Sequence, residues 1–334
     1  MRLSLAVLAL VVAPCVVTQR SHAQQPTKPV RIGVPYFGTD AAAPHLEAAF
    51  LQGLRDLGYV QGQNLLIERR CCANGSKELF SEFMADLIQR KVDIVFVSTP
   101  QAAVAAKQAT STIPIVFVAV SDPVKLGLVA SFADPGGNVT GFSHVAPGPP
   151  GEALGYQMQL IKEMVPSASR LAVLINPSNP IYQQVDFPGI LATLARPVGV
   201  TPIVVEAQTP ADLAAAFEKA VLAGSQAIVV TADTLTFAER KQIADLAAKH
   251  RLPATYRFRE QAEAGGLMSY GVDLANLWRR AAGYVDRIVK GMKPGDLPVE
   301  RPTKFELVIN RGAANSLGLT IPQSIIARAD QVLE

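Results

Sequence analysis

The polar residues of this sequence that are best placed to bind a small molecule come directly after apolar segments with the character of β-strands. The clearest example is the β-branched and aromatic run Val92–Val97, which is followed at once by Ser98, Thr99 and Pro100. An alanine-rich segment comes next, so the sequence predicts a helix that Ser98 or Thr99 caps and that has Pro100 in its first turn. Free backbone N–H groups at the start of such a helix form a small anion site, which suits a carboxylate.

Similar polar clusters follow other predicted strands. Asp233 comes soon after the run Ala227–Val230, and its carboxylate is a candidate partner for an ammonium group. Aromatic residues near the same strand ends are expected to stack on an apolar or aromatic ligand. Asn-Pro and Asp-Pro pairs also initiate turns, so a purely structural role stays open for each of these residues. The predicted ligand-binding residues are Tyr36, Phe37, Gly38, Ser98, Thr99, Pro100, Gln101, Ser121, Asp122, Pro123, Asn176, Asn179, Asp233, Tyr256 and Phe258.

The sequence lacks the motifs of the common catalytic and phosphate-binding sites. It contains no GxSxG elbow, no P-loop and no GxGxxG fingerprint. Its four histidines are scattered without an HExxH pair, and it has no CxxC pair. Cys71 and Cys72 are adjacent, and adjacent cysteines form a disulfide only with strain. We therefore predict no catalytic residue, no bound metal and no cofactor.

The first 23 residues have the composition of a secretory signal peptide. Arg2 precedes the apolar run Leu3–Val17, and Ser21–Ala23 has the small-x-small pattern of a cleavage site, so cleavage is expected before Gln24. Loss of this segment removes two arginines and no acid, which lowers the formal net charge from +3 to +1. No basic stripe with interleaved aromatic residues is present, so nucleic acid is not expected as a partner.

The rest of the chain has the composition and the pattern of two packed α/β lobes. With 49% hydrophobic and 18% charged residues it is expected to be globular, and 334 residues exceed one typical core. Strand-like and helix-like segments alternate with short connections, which is typical of a doubly wound parallel sheet. The Pro/Gly-rich segment Ala146–Gly151 interrupts this alternation, which then restarts.

Several helices are predicted from apolar residues at helical spacing. They include Lys77–Gln89, Glu152–Met164, a helix that starts at Val124, the segment Phe237–His250 and the strongly amphipathic Leu274–Lys290. Because ligands of open α/β sheets lie beyond the carboxyl ends of the strands, two such lobes that face each other predict a cleft for a small molecule.

Six segments of the mature chain together resemble a known family. They are similar to segments of the solute-binding proteins of bacterial ABC transporters, in the group that resembles tryptophan- and tyrosine-binding proteins. The segments are GLRDLGYVQGQN (Gly53–Asn64), AAKQATSTIPIVFV (Ala105–Val118), SDPVKLGLVASFADPGGNVTG (Ser121–Gly141), LAVLINPSNP (Leu171–Pro180), AAKHRLPATYRFREQAEAGGLMSYG (Ala247–Gly271) and LPVERPTKFELVIN (Leu297–Asn310).

The resemblance implies a type I periplasmic-binding fold, in which three crossovers connect two doubly wound parallel-sheet lobes. It also implies that hinge closure traps the ligand between the lobes. On this fold the first lobe holds residues 24–144 and 272–294, and the second lobe holds residues 145–271 and 295–334.

We interpret the chain as an exported, periplasmic and non-enzymatic binding protein of an ABC import system. Its ligand is predicted to be an amino acid or a related small carboxylate, and its partner an ABC permease in the inner membrane, with the chain acting as a monomer. Two alternatives stay open. One is a binding protein of the same fold that serves a sensor kinase or a chemoreceptor. The other is a secreted hydrolase, which would need a nucleophile–base pair across the cleft. A cytoplasmic ligand-responsive repressor is disfavoured by the signal peptide.

Overall fold

The computed structural model describes residues 28–36, 43–71 and 77–334. The predicted signal peptide at residues 1–23 and two predicted ligand-binding residues, Phe37 and Gly38, lie outside these ranges. Within the described ranges, no helix is long and apolar enough to cross a bilayer. The same part of the chain contains no group of three or more His, Cys, Asp or Glu side chains arranged to hold a metal ion.

The N-terminal part of the chain forms a five-stranded parallel sheet with helices on both faces. Its elements are β1 (Val30–Pro35), α1 (Pro44–Asp56), β2 (Leu65–Arg70), α2 (Lys77–Gln89), β3 (Ile94–Val97), α3 (Pro100–Ala109), β4 (Ile115–Val120) and β5 (Val139–Ser143). The strands lie in the order β2-β1-β3-β4-β5, and every neighbouring pair is parallel. Strand β3 is buried on both faces, because Phe96 packs in the core that contains α1 and Val97 in the core that contains α2 and α3.

The remainder of the chain contains the second, seven-stranded sheet and also helix α10 (Leu274–Val289), which packs on the first sheet. Its elements are α4 (Glu152–Met164), β6 (Arg170–Ile175), a 3₁₀ helix (Pro180–Gln183), α5 (Phe187–Ala195), β7 (Thr201–Glu206), α6 (Asp212–Leu222), β8 (Ala227–Val230), α7 (Thr234–Ala238), α8 (Arg240–Lys249), β9 (Ala254–Tyr256), α9 (Arg259–Glu263), β10 (Met268–Gly271), α10 (Leu274–Val289), a 3₁₀ helix (Pro294–Asp296), β11 (Glu306–Asn310), α11 (Arg311–Leu317), α12 (Gln323–Ile326) and β12 (Gln331–Leu333).

The second sheet repeats the strand order of the first and extends it. Its order is β12-β11-β10-β9-β8-β6-β7, so β7, β6, β8, β9 and β10 reproduce the doubly wound order. These five strands are parallel, and β11 is antiparallel to β10. The prediction of two doubly wound α/β lobes is therefore confirmed, with one antiparallel strand pair added.

The chain passes between the two sheets three times: after β5, after β10 and after α10. Helix α10 follows a strand of the second sheet but packs on the first, where it contacts α1, β4 and β5. Its apolar stripe buries Leu277, Trp278, Ala281 and Tyr284 in the core that contains α1. The predicted residue limits of the two lobes stay a prediction.

Two predicted helices differ from the structure. No helix starts at Val124; the chain makes turns there, because Gly127 has φ +68° and the Asp122 carboxylate accepts a hydrogen bond from the Lys125 N–H. The predicted helix Phe237–His250 is two helices, α7 and α8, which meet at Glu239 with φ −91° and ψ 23°. The spacing of the apolar residues is not interrupted at Glu239, so the sequence pattern does not reveal that the helix breaks there.

Candidate ligand-binding site

A cavity of about 110 Å³ lies where the carboxyl ends of strands from both sheets meet; it is called the cleft cavity below. From the first sheet it is lined by Ser98, Thr99 and Ser121, and from the second by Asn179 and Asp233. Strand β3 leads to the first two of these residues and strand β8 to Asp233. The chain therefore brings together the ends of strands that are far apart in sequence, as expected for open α/β sheets.

The first rim of the cleft cavity carries hydroxyl groups at the start of helix α3. Thr99 caps this helix, because its Oγ1 accepts a hydrogen bond of 3.0 Å from the Ala102 N–H, and Pro100 occupies the first turn. The predicted capping is thus confirmed, with Thr99 as the cap. Ser121 Oγ is buried and has no hydrogen-bond partner among the described residues. This rim offers donors of the kind that a carboxylate accepts.

The second rim is built around the buried carboxylate of Asp233, which is 6% exposed. Oδ1 accepts hydrogen bonds from Asn176 Nδ2 at 2.9 Å and from the Leu235 N–H at 2.8 Å. Oδ2 accepts a hydrogen bond from Asn179 Nδ2 at 2.8 Å. These donors hold the carboxylate in one orientation at the cavity wall.

The described residues supply no counter-charge to Asp233. No Lys, Arg or His forms an ion pair with it within the described ranges. Burial raises the pKa of Asp233 above its usual value, although the hydrogen bonds from Asn176, Leu235 and Asn179 oppose this shift. A cation in the cleft cavity would therefore be stabilised by a carboxylate that lacks a counter-charge.

Aromatic rings form the apolar wall between the two rims. Trp278 of α10 and Phe258 before α9 both line the cavity and are almost fully buried. Trp278 packs edge-on against Phe96 with 5.0 Å between ring centroids, and Phe258 packs edge-on against Phe237 at 5.9 Å. Rings locked in this way offer a flat, pre-ordered surface to an apolar ligand group.

His144 is a cavity residue that the sequence analysis did not select. Its Nδ1 lies 2.8 Å from the carbonyl oxygen of Ala119, and because a carbonyl only accepts, Nδ1 carries the proton. Burial lowers the pKa of His144 to about 4, and the nearby Arg257 charge adds to the shift. The imidazole is therefore neutral at pH 7, and its Nε2 is a hydrogen-bond acceptor.

The backbone at Ala119 explains why His144 was not foreseen. Ala119 has φ +60°, a conformation that non-glycine residues rarely adopt, at an irregularity in the pairing of β4 with β5. This bulge turns the Ala119 carbonyl toward His144. No residue type or spacing in the sequence signals the bulge, since Ala119 stands inside an uninterrupted apolar run and is not one of the residue types that favour positive φ.

The structure separates the predicted ligand-binding residues into three groups. Eight line the cleft cavity: Tyr36, Ser98, Thr99, Pro100, Ser121, Asn179, Asp233 and Phe258. Five do not line it: Gln101, Asp122, Pro123, Asn176 and Tyr256. Phe37 and Gly38 lie outside the described residues.

The five residues away from the cleft cavity have other surroundings. Asn176 does not line the cavity but holds two residues that do, through its side-chain hydrogen bond to Asp233 and its carbonyl, which accepts from the Asn179 N–H; Tyr256 is fully buried in the core. Asp122 and Pro123 belong to the turn after β4, where the Pro123 carbonyl accepts from the Leu128 N–H. Both amide atoms of Gln101 are buried without a hydrogen-bond partner within the described part of the chain. Besides His144, the sequence analysis also missed Phe237 and Trp278 as cavity residues, because their apolar patterns indicated only core positions.

Comparisons with known proteins identify a family. The model of the family described as "ABC transporter substrate binding protein" matches residues 33–333. A curated relative, the tyrosine-binding protein of Clostridioides difficile (strain R20291), is 26% identical over 297 residues, which is 87% of this chain and 82% of that protein.

Solved structures agree with this result. A conserved domain protein of Vibrio cholerae has a TM-score of 0.82 and 29% identity, and the match covers 91% of this chain and all of that chain. The ABC domain of Streptococcus pneumonia in complex with L-Trp has a TM-score of 0.81 and 25% identity, covering 92% of this chain and all of that chain. A leucine-binding protein of Thermotoga maritima, with a TM-score of 0.56 and 15% identity over 78% of this chain and 83% of that chain, shares the fold alone. The type I periplasmic-binding fold is thereby confirmed.

Proposed function

Because this chain belongs to the ABC transporter substrate-binding protein family, we propose that it captures an amino acid with an apolar or aromatic side chain in the cleft cavity. The observation that carries this proposal is the buried, unneutralised carboxylate of Asp233, which lies on the same cavity as a hydroxyl-bearing rim and an aromatic wall. An α-amino acid supplies the three groups that match these surfaces. The names of two similar proteins, a tyrosine-binding protein and a domain in complex with L-Trp, support the same ligand class.

The ligand is oriented by charge. Its ammonium group pairs with Asp233 and lies beside Asn179, while its carboxylate accepts hydrogen bonds from Ser121 and from the N-terminus of α3. Its side chain stacks on Trp278 and Phe258. A ligand held in this way joins residues of both sheets.

Bridging of the two rims implies hinge closure. The closed arrangement makes contacts to both ends of the ligand and the open arrangement makes only one set, so ligand binding shifts the population toward closure. The closed protein then delivers the amino acid to an ABC permease in the inner membrane. In this proposal the chain acts in the periplasm as a monomer, performs no chemical reaction on its ligand and needs no cofactor.

Titration with three phenyl compounds tests the proposed function. Trp278 is the single tryptophan of the sequence and lines the cleft cavity, so its emission reports on that cavity. L-Phenylalanine is expected to change the emission and to release heat in calorimetry. 2-Phenylethylamine lacks the carboxylate and 3-phenylpropionate lacks the ammonium, and each should bind the cleft cavity at least ~10-fold more weakly, since each loses a charge-assisted contact.

Two results together would overturn the proposal. The emission of Trp278 would respond to none of the ligands L-phenylalanine, L-tyrosine and L-leucine, and calorimetry would show no binding of L-tryptophan. The proposal also fails if 2-phenylethylamine or 3-phenylpropionate binds the cleft cavity as tightly as L-phenylalanine does. Excitation at a wavelength that only indole absorbs keeps the added ligands silent in the fluorescence measurement.

The affinity for L-phenylalanine is expected to fall as the pH is lowered from 7 to 5. Burial raises the pKa of Asp233, and a protonated carboxyl has no charge with which to hold an ammonium group. His144 does not contribute in this range, because its pKa is lowered to about 4 and it stays neutral. Calorimetry at both pH values measures the effect, and the Asp233→Asn variant should lose the pH dependence. An affinity that rises on acidification would contradict the role given to Asp233.

A further inference from the structure

A second cavity, of about 700 Å³, lies next to the cleft cavity and is bounded by the loop at residues 145–151, by α4 and by the last crossover. Ser121, His144 and Ala232 line both cavities, so the two cavities adjoin at these residues. Thr99, Asp233 and Trp278 line only the cleft cavity. The volume of the second cavity is within the range of small-molecule sites.

Arg257 contributes a buried guanidinium to this second cavity, and the side chain is 4% exposed. Nη1 donates to the Tyr270 carbonyl oxygen at 3.0 Å, and Nη2 donates to the His144 carbonyl oxygen at 3.1 Å. Since a guanidinium has five N–H donors, three remain after these two bonds. Burial lowers the pKa of Arg257 to about 10, so the group is charged at pH 7.

Arg301 brings a second guanidinium to the same cavity. Its Cζ lies 3.5 Å from the ring centroid of Phe132, and its Nε is buried with no hydrogen-bond partner among the described residues. Neither Arg257 nor Arg301 forms an ion pair with a carboxylate in the part of the chain that the structure describes. Two unpaired guanidinium groups on one cavity favour an anion.

The acidic residues of this cavity do not neutralise the arginines. Glu152 is exposed, and Asp122 is half-buried and accepts from the Lys125 N–H in its turn. The exposed Lys125 also lines the cavity and adds a third positive charge. The charge of the lining groups is therefore positive on balance.

Gln157 supplies a further unused donor. It is 2% exposed, lines the second cavity from α4, and its Nε2 has no hydrogen-bond partner within the described ranges. A buried amide without a partner costs free energy unless a bound group satisfies it. An accepting oxygen in the cavity would remove this cost.

The remaining wall of the second cavity is aromatic. The rings of Tyr156 and Tyr270 lie 4.4 Å apart, and Tyr270 stacks on Phe305 at 5.4 Å with an interplanar angle of 20°. Phe305 also lies under the Arg257 guanidinium, with Cζ 5.1 Å from its ring centroid. The positive groups and the rings are thus parts of one continuous surface.

We propose that the second cavity is a binding site for an aromatic carboxylate, separate from the amino-acid site. The carboxylate pairs with Arg301 and Arg257, Gln157 donates to one of its oxygens, and the ring packs against the aromatic wall of Tyr156, Tyr270 and Phe305. An aromatic carboxylate fits better than an amino acid, because an ammonium group would lie among positive charges. This proposal does not depend on the proposed function of the cleft cavity.

Calorimetry with 3-phenylpropionate tests the second site on the purified chain, with 2-phenylethylamine and acetate as matched probes. 3-Phenylpropionate should bind, while the amine of the same ring and the anion without a ring should each bind at least ~10-fold more weakly. Arg301→Gln should lower the affinity for 3-phenylpropionate at least ~10-fold, because a charge-assisted pair is lost. Gln157→Leu should lower it ~3-fold or more and leave the protein folded, since the change removes a buried group that has no partner.

Two further variants separate the second site from the cleft cavity. Asp233→Asn should leave the binding of 3-phenylpropionate unchanged, and Arg311→Gln, at a residue that lines neither cavity, should also leave it unchanged. Arg301→Gln should leave the response of Trp278 to L-phenylalanine unchanged. The proposal is overturned if 3-phenylpropionate does not bind at millimolar concentration, if acetate or 2-phenylethylamine binds as tightly, or if Arg301→Gln leaves the affinity for 3-phenylpropionate unchanged.

Discussion

Asp233→Asn is expected to weaken the binding of L-phenylalanine by at least ~30-fold, because loss of one partner of a buried charge pair costs about 2–5 kcal/mol. The carboxylate is 6% exposed and has no counter-charge from the described residues, so the ligand ammonium is its proposed partner. The substitution keeps the size of the side chain but removes its charge. Calorimetry of the variant beside the unaltered protein measures the loss.

Asp186→Asn is the matched control for this substitution. Asp186 also caps a helix of the second lobe, where its carboxylate accepts a hydrogen bond of 3.1 Å from the Gly189 N–H, but it is exposed and lines neither cavity. Its replacement should leave the affinity for L-phenylalanine unchanged. If Asp233→Asn binds L-phenylalanine as tightly as the unaltered protein, Asp233 is not part of the site. A thermal melt of both variants shows that the comparison is between folded proteins.

Gly53→Ala is expected to lower the free energy of unfolding by about 1–3 kcal/mol, because the added methyl group has no room between α1 and α10. A Cβ at Gly53 would lie 2.5 Å from the Arg279 carbonyl oxygen and 2.8 Å from Ala282 Cβ. The first of these atoms is backbone, so α10 itself has to move away from α1. Denaturant unfolding followed by circular dichroism measures the change.

Gly283→Ala separates this steric effect from helix propensity. Gly283 lies in α10, in the same pair of helices, but a Cβ there would meet nothing within 4 Å. Alanine is more favourable than glycine in a helix by about 1 kcal/mol, so this substitution should raise the free energy of unfolding by up to that amount. Similar effects of the two substitutions would show that the close approach of α1 and α10 does not limit stability. Opposite effects would show that this contact holds α10 on the first lobe.

Local patterns in the sequence were sufficient to predict most of the elements. Helices α2 and α4 have the bounds that their apolar spacing predicts, and Thr99 caps α3 as its position between a strand and an alanine-rich segment indicates. These features depend on neighbours within one or two turns of chain, and periodicity and capping residues report such neighbours directly. The predicted helix at Val124 was wrong. The prediction rested on the apolar residues, but Gly127 and Asp122 favour turns more strongly than those residues favour a helix.

Local sequence patterns predicted only part of the candidate site. Ser98, Thr99, Asn179 and Asp233 were found because polar residues at the ends of parallel strands meet at one edge of a sheet. Asn176 has the same position in its strand, yet its amide turns to Asp233 and away from the cleft cavity. Side-chain direction within a loop depends on the hydrogen bonds that the loop makes, and a residue pattern does not contain them.

The sequence by itself determined the two doubly wound lobes, the family resemblance and the strand ends that carry a hydroxyl rim and a carboxylate. Only the tertiary structure decided that His144 and Trp278 complete the cleft cavity and that Arg257 and Arg301 face a second one. The physical reason is the range of the interactions. Periodicity and capping act over a few residues, whereas the walls of a cavity come from segments that strand order, a bulge at Ala119 and three crossovers bring together.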